Sequence, residues 1–134
     1  MKKVIFTLAA FAVCIGIFLV TKSPAATGGH TYEWIARELP VTPEQVPWIN
    51  YGFRKLAHLM SFGALAILLC LVIPKRSYLF SWLIVTVYAA TDEWHQLHVP
   101  GRTGSVKDVL LDSFGALIGL GLLYLFKGKR DVRR

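Results

Sequence analysis

The segment Asp92–Arg102, D-E-W-H-Q-L-H-V-P-G-R, carries the side chains best suited to chemistry in this chain. In a helix, Asp92 and Gln96 lie on one face at spacing i, i+4, and Glu93 lies beside Gln96 at i, i+3. The pattern therefore predicts a cluster of two carboxylates and one amide. Carboxylates near the carboxyl end of a helix oppose the helix dipole, and burial makes an unpaired charge much more costly, so this cluster requires partners.

Arg102 is the natural counter-ion for these carboxylates. Pro100 disfavours helical geometry in the residue before it, and Pro100-Gly101 favours a turn that returns Arg102 toward the helix end. The guanidinium group can pair with Glu93 or Asp92, or it can hold a phosphate or carboxylate of a ligand. Both interpretations stay open from the sequence.

Two histidines in the same segment raise the question of a metal site. His95 and His98 are spaced i, i+3, which is not the H-E-x-x-H pattern of a zinc helix, and no further ligands are obvious beside them. We therefore expect these histidines to lie at a membrane boundary. No metal and no other cofactor is expected.

A second group of polar residues lies upstream, at the start of an apolar run. Arg54 and His58 share a helix face at i, i+4 and Lys55 lies beside them, which predicts a cationic cluster in the first turn of a helix. A lysine at a helix end often only extends toward the headgroups. A histidine inside the apolar run is a stronger site candidate, with a structural hydrogen bond between helices as the alternative.

A third polar group opens the last apolar run. Ser105 and Asp108 match a helix-capping box, so Asp108 has a structural explanation. Asp112 lies one turn deeper, and an ionisable residue inside a spanning helix is a functional-site candidate by default. A partner such as His58 or Arg102 would give Asp112 a structural role instead.

Apolar helices must position all of these residues. The chain has 134 residues, 54% of them hydrophobic and 17% charged, with a mean hydropathy of +0.50, which excludes a water-soluble fold. Crossing a bilayer takes roughly 17 to 25 helical residues. Four apolar runs are present: Val4–Val20, Leu56–Ile73, Tyr78 to about Ala90, and Val109–Phe126.

The third run is too short to cross a bilayer unless it includes residues 91–96, which places the acidic cluster at the membrane boundary. The chain has a formal net charge of +7, but its basic residues lie between the apolar runs rather than on one face of a hydrated fold. This distribution argues against nucleic-acid binding and suits anionic lipid headgroups. Cys14 and Cys70 lie inside apolar runs and are interpreted as small hydrophobic residues.

The distribution of basic residues orients the chain. A topology of four spans with both termini cytoplasmic places nine basic residues and one acidic residue on the cytoplasmic side. It places six basic and six acidic residues on the outer side, and basic residues near membrane ends favour the cytoplasm. The tight connection at residues 74–77, which contains Lys75 and Arg76, then lies inside as the turn of a helical hairpin. The predicted fold is therefore an all-α integral membrane bundle of four transmembrane helices in a bacterial-type plasma membrane. The loop after Gln96 is expected to be extracytoplasmic.

The chain divides into a first transmembrane helix (1–21), an outer interfacial loop (22–54), a three-helix core (55–126) and a basic cytoplasmic tail (127–134). The first helix also resembles a signal peptide with small residues at 23–26, and cleavage there would leave three spans and the outer loops in place. The interfacial loop is expected to hold a short helix over Thr31–Leu39. Its aromatic residues Trp34, Trp48, Tyr51 and Phe53 favour a membrane anchor over a substrate-gating lid.

The segments from Asp92 to Arg102 and from Asp108 to Gly115 together resemble the VanZ-like family of membrane proteins. That family's pattern has a D-E-x-x-Q segment, a P-G-R turn, and then an Asp and a usually amidic position before a helix of small residues. Lys55, His58, Phe62 and Gly63 resemble its upstream K-x-x-H element, so the resemblance covers roughly residues 50–126. One departure is Asp112, where the family pattern more often has Asn. The resemblance implies an association with resistance to the glycopeptide teicoplanin, without specifying a reaction.

Three functional hypotheses follow. The first is an outer-leaflet polar pocket that engages an anionic or glycan-bearing envelope lipid or precursor. The second is an enzyme in which Glu93 and His58 transfer protons on such a lipid. The third is an ion-pair network that only holds the helices together, with function left to partner proteins. The expected ligand-binding residues are Lys55, Asp92, Gln96, Arg102, Asp108 and Asp112. The G-x-x-x-G spacing of Gly115 and Gly119 favours close helix packing, which includes self-association.

Overall fold

The computed structural model describes residues 1–23, 28–73 and 77–131. Within these ranges the chain is entirely helical apart from its connections, so the predicted all-α class is confirmed. Five helices follow one another: α1 (Lys2–Lys22), α2 (Gly28–Glu38), α3 (Val46–Val72), α4 (Tyr78–Gln96) and α5 (Val106–Asp131). The proposed signal-peptide cleavage site at 24–26, most of the hairpin turn at 74–77 and the last residues of the tail lie outside the described residues.

Three of the described helices are long and apolar enough to cross a membrane: α1, α3 and, in α5, residues Val106–Lys127. α4 is not one of these three. With 19 residues it is about 28 Å long, but its last turn and a half is the polar stretch from Thr91 to Gln96. Length and composition therefore support a membrane protein, and a fourth span depends on where α4 lies.

The segment expected to be an interfacial loop is largely helical. α2 confirms the short helix predicted near Thr31–Leu39, although it begins at Gly28. α3 begins at Val46, ten residues before the predicted start at Leu56, with a proline in its first turn, where the missing N–H costs nothing. The sequence prediction followed hydropathy, whereas the helix continues through a less apolar stretch. The expectation that Arg54, Lys55 and His58 occupy the first turn was therefore wrong; they lie in the third and fourth turns.

α3 contacts each of the other four helices. Its approach to α5 is very close: a Cβ added to Gly63 would lie 3.0 Å from the Gly115 carbonyl oxygen, and one added to Gly115 would lie 2.5 Å from the Leu59 carbonyl oxygen. Gly119 faces Gly63 one turn further along. The two backbones touch because these positions have no side chain, which confirms the predicted role of the glycine spacing in close packing.

Polar side chains also hold the helices together. The Trp82 indole N–H donates to the Ser113 hydroxyl at 2.9 Å, which joins α4 to α5. The Tyr88 hydroxyl donates to the Cys14 carbonyl oxygen at 2.7 Å, which joins α4 to α1. The buried apolar residues between the helices come from α1, α3, α4 and α5: Ala10, Ile17, Phe62, Leu65, Ala66, Cys70, Val85, Ala89, Ala116 and Leu120.

Candidate functional site

Polar residues from three distant parts of the sequence meet at one end of the bundle. The carboxyl ends of α1 and α4 lie there beside the third and fourth turns of α3 and the first two turns of α5. We call these residues the polar cluster: Thr21, Lys55, His58, Asp92, Glu93, Gln96, Arg102, Asp108 and Asp112. The structure thus brings together every residue that the sequence nominated as a candidate site residue.

Gln96 is the central hydrogen-bonding residue of this cluster. Its side-chain amide donates to Asp92 Oδ2 at 2.8 Å and to Glu93 Oε1 at 3.1 Å. Its carbonyl oxygen accepts from Arg102 Nη1 at 3.1 Å. Asp92, Glu93 and Gln96 are each at most 4% exposed, so these bonds satisfy polar groups that water does not reach. The acid and amide contact expected from the spacing is therefore present.

Glu93 also holds the start of α5. Its Oε2 accepts from the Ser105 backbone N–H at 2.9 Å. The capping box predicted a different pairing, in which the Asp108 carboxylate takes this N–H. Ser105 does cap the helix, since its hydroxyl accepts from the Lys107 N–H at 3.2 Å, but the reciprocal bond comes from α4. The prediction was wrong on this point because the capping box considers only acceptors within one helix, whereas the acceptor here is the Glu93 carboxylate of α4.

The Asp108 carboxylate pairs with Lys55 instead. The two side chains are 28% and 23% exposed, so this ion pair lies at the rim of the cluster. The Lys55 ammonium also lies 5.3 Å from the centre of the Tyr51 ring, where a cation is attracted by the ring face. Lys55 is thus a partly exposed cationic group of the cluster.

A deeper pair joins α3 to α5. His58 Nδ1 lies 3.3 Å from Asp112, whose side chain is completely buried. Glu93 completes a group of three, because one ligand atom from each of His58, Glu93 and Asp112 lies within 4.8 Å of the other two. The glycine contact between α3 and α5 sets this spacing, since Leu59, the residue after His58, packs on Gly115, one turn beyond Asp112.

Arg102 connects the loop after α4 to α1. Besides Gln96, it donates from Nη2 to the Val20 carbonyl oxygen at 2.9 Å. Partial burial, together with the nearby charge of Arg54, lowers the pKa of the Arg102 guanidinium from its ordinary value. Arginine titrates so far above neutral pH that the group stays charged. The sequence placed Arg102 beside the two acids, and the structure places it against the amide that both acids share.

Thr21 is the member of the cluster that sequence reasoning missed. Its hydroxyl donates to Asp92 Oδ1 at 2.8 Å, and the residue is 3% exposed. A threonine at the end of an apolar run carries no distinctive signal, so only the fold reveals this contact. It also changes the signal-peptide interpretation. Cleavage after α1 would remove a donor to Asp92 and the Val20 carbonyl that Arg102 contacts, so the site would not stay intact without α1.

A cavity of about 280 Å³ lies between α1 and α3. Its walls are mainly apolar, and His58 and Thr21 form its polar end. The cavity therefore leads directly to the polar cluster. The residues that line it are Val13, Gly16, Ile17, Val20, Thr21, Ala57, His58, Ser61 and Phe62.

The two histidines of the segment Asp92–Arg102 are not part of the polar cluster. The His95 ring packs on Phe18 with the ring centres 4.8 Å apart, and His98 is exposed with its Nδ1 2.9 Å from the Trp94 carbonyl oxygen. The aromatic residues of the interfacial segment also face outward: Trp34, Trp48, Tyr51 and Phe53 are all exposed. Exposed aromatic rings near one end of apolar helices are typical of a membrane interface.

Comparison with known proteins supports the sequence resemblance. No curated protein and no solved structure matches the chain. The model of the VanZ/LLP1 family matches residues 5–127, which include the whole polar cluster and all five helices except the first residues of α1 and the last residues of α5. The predicted resemblance is therefore confirmed, and this chain belongs to the VanZ/LLP1 family.

Proposed function

We propose that the polar cluster engages an anionic or glycan-bearing lipid, or a lipid-linked precursor, of the cell envelope. The cavity between α1 and α3 carries this proposal, because it combines apolar walls with a polar end in the way that an amphiphile requires. Its volume of about 280 Å³ is just below the roughly 300 Å³ typical of small-molecule pockets, so it suits part of one hydrocarbon chain. The headgroup would then lie at the polar cluster.

The two cations of the cluster suit such a headgroup. Arg102 presents a planar guanidinium, which binds phosphate and carboxylate in a two-pronged geometry. Lys55 lies at the rim, where its partner Asp108 is also partly exposed. Because both side chains are partly exposed, an anionic headgroup can take the place of Asp108 as the partner of Lys55. Following the family resemblance, we extend the proposal to reduced susceptibility of the cell to teicoplanin.

Filling the cavity should remove the bound lipid. A Cβ added at Gly16 would meet no atom within 4 Å, so Gly16→Leu projects its side chain into the cavity without a backbone clash. Excluding two or three methylene groups from an apolar site costs about 2 kcal/mol, so lipid retention should fall roughly tenfold or more. The measurement is quantitative mass spectrometry of lipid that co-purifies with the protein in mild detergent.

Gly121→Leu is the matched control. It makes the same change in α5, also meets no atom within 4 Å, and lines a separate cavity between α4 and α5. Lipid retention by this variant should equal that of the wild type. Equal retention by both variants would show that the α1 and α3 cavity does not hold the lipid.

A membrane enzyme is the second candidate function. His58 and Glu93 lie close enough for proton transfer through a substrate or a water, since their nearest ligand atoms are within 4.8 Å. Both are oriented by partners: His58 by Asp112, and Glu93 by Ser105 and Gln96. This arrangement favours acid and base chemistry on the same lipid.

We propose four membrane spans with both termini cytoplasmic, so that the polar cluster lies at the outer leaflet. The charge bias of the termini supports this orientation. Thr103 is exposed in the loop between α4 and α5 and takes no part in the Ser105 cap, so it is a suitable reporter position. In a chain with Cys14→Ser and Cys70→Ser, Thr103→Cys should react with a membrane-impermeant maleimide in intact cells.

Lys3→Cys provides the opposite control, because the exposed start of α1 should react only after lysis. Labelling of Lys3→Cys in intact cells with protection of Thr103→Cys would invert the topology. The search for ligands would then move from envelope precursors to cytosolic molecules.

A further inference from the structure

We propose that His58, Glu93 and Asp112 form a binding site for one divalent transition-metal ion, of the zinc or manganese type. The proposal goes beyond lipid binding and does not depend on it. No sequence pattern indicates this site, because its ligands come from three helices and His58 and Asp112 are 54 positions apart.

The geometry is close to that of a three-ligand site. The ligand atoms of the three residues lie within 4.8 Å of one another. Two ligands of one zinc ion, with bonds of about 2.0 to 2.2 Å, lie roughly 3 to 4 Å apart. A small movement of side chains reaches that spacing, and His58 is the most exposed of the three.

Asp112 provides independent evidence for a bound cation. Its side chain is completely buried, and within the described part of the chain its Oδ1 accepts no hydrogen bond. A buried carboxylate oxygen without a donor is costly, and such an atom in a folded protein calls for an unseen partner. His58 Nδ1, which is hydrogen-bonded to Oδ2 of the same carboxylate, lies 3.3 Å from this oxygen, so Oδ1 lies on the side of Asp112 that faces His58.

The charge of the polar cluster points the same way. Four acids belong to it, Asp92, Glu93, Asp108 and Asp112, whereas its permanent cations are Lys55 and Arg102. With all four acids ionised and His58 neutral, as a metal ligand must be, the cluster carries two negative charges, which the nearby Arg54 offsets only from outside it. One divalent cation neutralises them in a region where uncompensated charge is expensive.

The donor set selects the type of ion. Imidazole nitrogen suits zinc, copper, iron and nickel, and the two carboxylates suit manganese as well as zinc. Three protein ligands leave at least one coordination position open. His58 lines the α1 and α3 cavity, so the open position would lie at the polar end of that cavity, where a phosphate oxygen would bind.

Metal binding to the purified full-length chain tests the proposal. The protein in detergent is delipidated, stripped with a chelator, exposed separately to Zn²⁺ and Mn²⁺, desalted, and analysed by elemental mass spectrometry. We expect retention of one ion per chain for at least one of these metals. Asp112→Asn and His58→Gln, which preserve side-chain shape, should lose it. His30→Gln, which removes an exposed histidine on α2, should retain the wild-type amount.

A second measurement on the wild type covers the case in which these variants do not fold. Co²⁺ added to the stripped protein should produce a visible absorption band from ligation by protein side chains, and stoichiometric Zn²⁺ or Mn²⁺ should abolish it. The proposal is overturned if the wild type retains neither ion, if the cobalt band is absent, or if folded His58→Gln keeps its metal. Because lipid is removed first, a negative result here leaves the lipid proposal standing.

Discussion

Gly119→Leu is expected to prevent α3 and α5 from packing together. A Cβ at Gly119 would lie 2.9 Å from the carbonyl carbon and the Cα of Gly63, which are backbone atoms and cannot rotate away. Overpacking ordinarily costs about 1 to 3 kcal/mol, and we expect at least about 3 kcal/mol here because two helices must separate along their contact. Thermal unfolding in detergent, followed by circular dichroism, measures the loss.

Gly121→Leu controls for the effect of a leucine on α5 itself, because an added Cβ at this position meets nothing. Its unfolding temperature should stay near that of the wild type. If Gly119→Leu were as stable as Gly121→Leu, the close contact between α3 and α5 would be absent from the protein in solution. The spacing of His58 and Asp112, which depends on that contact, would then need another explanation.

Glu93→Gln is expected to weaken both the fold and the function. Glu93 accepts hydrogen bonds from the Ser105 N–H and from the Gln96 amide, one on each carboxylate oxygen. A glutamine has only one acceptor oxygen, so its NH₂ group must face one of these donors. An unsatisfied buried donor costs about 1 to 3 kcal/mol, and the start of α5 loses part of its anchor. The measurements are unfolding temperature, lipid retention and teicoplanin susceptibility of cells that produce the variant.

These three readouts separate the functional hypotheses. A lowered unfolding temperature with a parallel loss of lipid supports a cluster that both holds the helices and shapes the ligand site. Normal stability and normal lipid retention with loss of the cellular phenotype would instead assign Glu93 to proton transfer. Glu33→Gln, which changes an exposed acid on α2, should alter none of the three.

Much of the fold follows from hydropathy, and the errors have a common cause. The helical class and the approximate positions of the apolar helices could be predicted because apolar runs of this length have few alternatives. The start of α3 could not be predicted in this way. Residues 46–55 are not strongly apolar and include Pro47 and Gly52, and their helix is fixed by contacts with α2, where the Asn50 side chain bonds to Thr31 and Gly28. That contact is tertiary and leaves no periodic signal.

The contacts of the candidate site also differ in how far the sequence predicts them. Spacing within one helix correctly placed Asp92, Glu93 and Gln96 together, because residues three and four apart must share a face. Partners on other helices were harder to assign. The capping box correctly gave Ser105 as the cap of α5, but the reciprocal bond expected from Asp108 comes from Glu93, and the contribution of Thr21 was missed. Which donor bonds to which acceptor depends on how the helices pack, and residue spacing within one helix does not show this.

The polar end of α4 has a consequence for how the protein enters the membrane. Asp92, Glu93 and Gln96 find their partners on α1, on the loop after α4 and on α5, so while α4 is being made its carboxyl end lacks Arg102 and Ser105. A helix of marginal hydropathy with unpaired acids is a poor candidate for insertion by itself. If α4 is the fourth span, as we propose, it should therefore remain beside the insertion machinery until α5 has been synthesised. The two helices would then move into lipid as one hairpin, and the site would be completed in the same step.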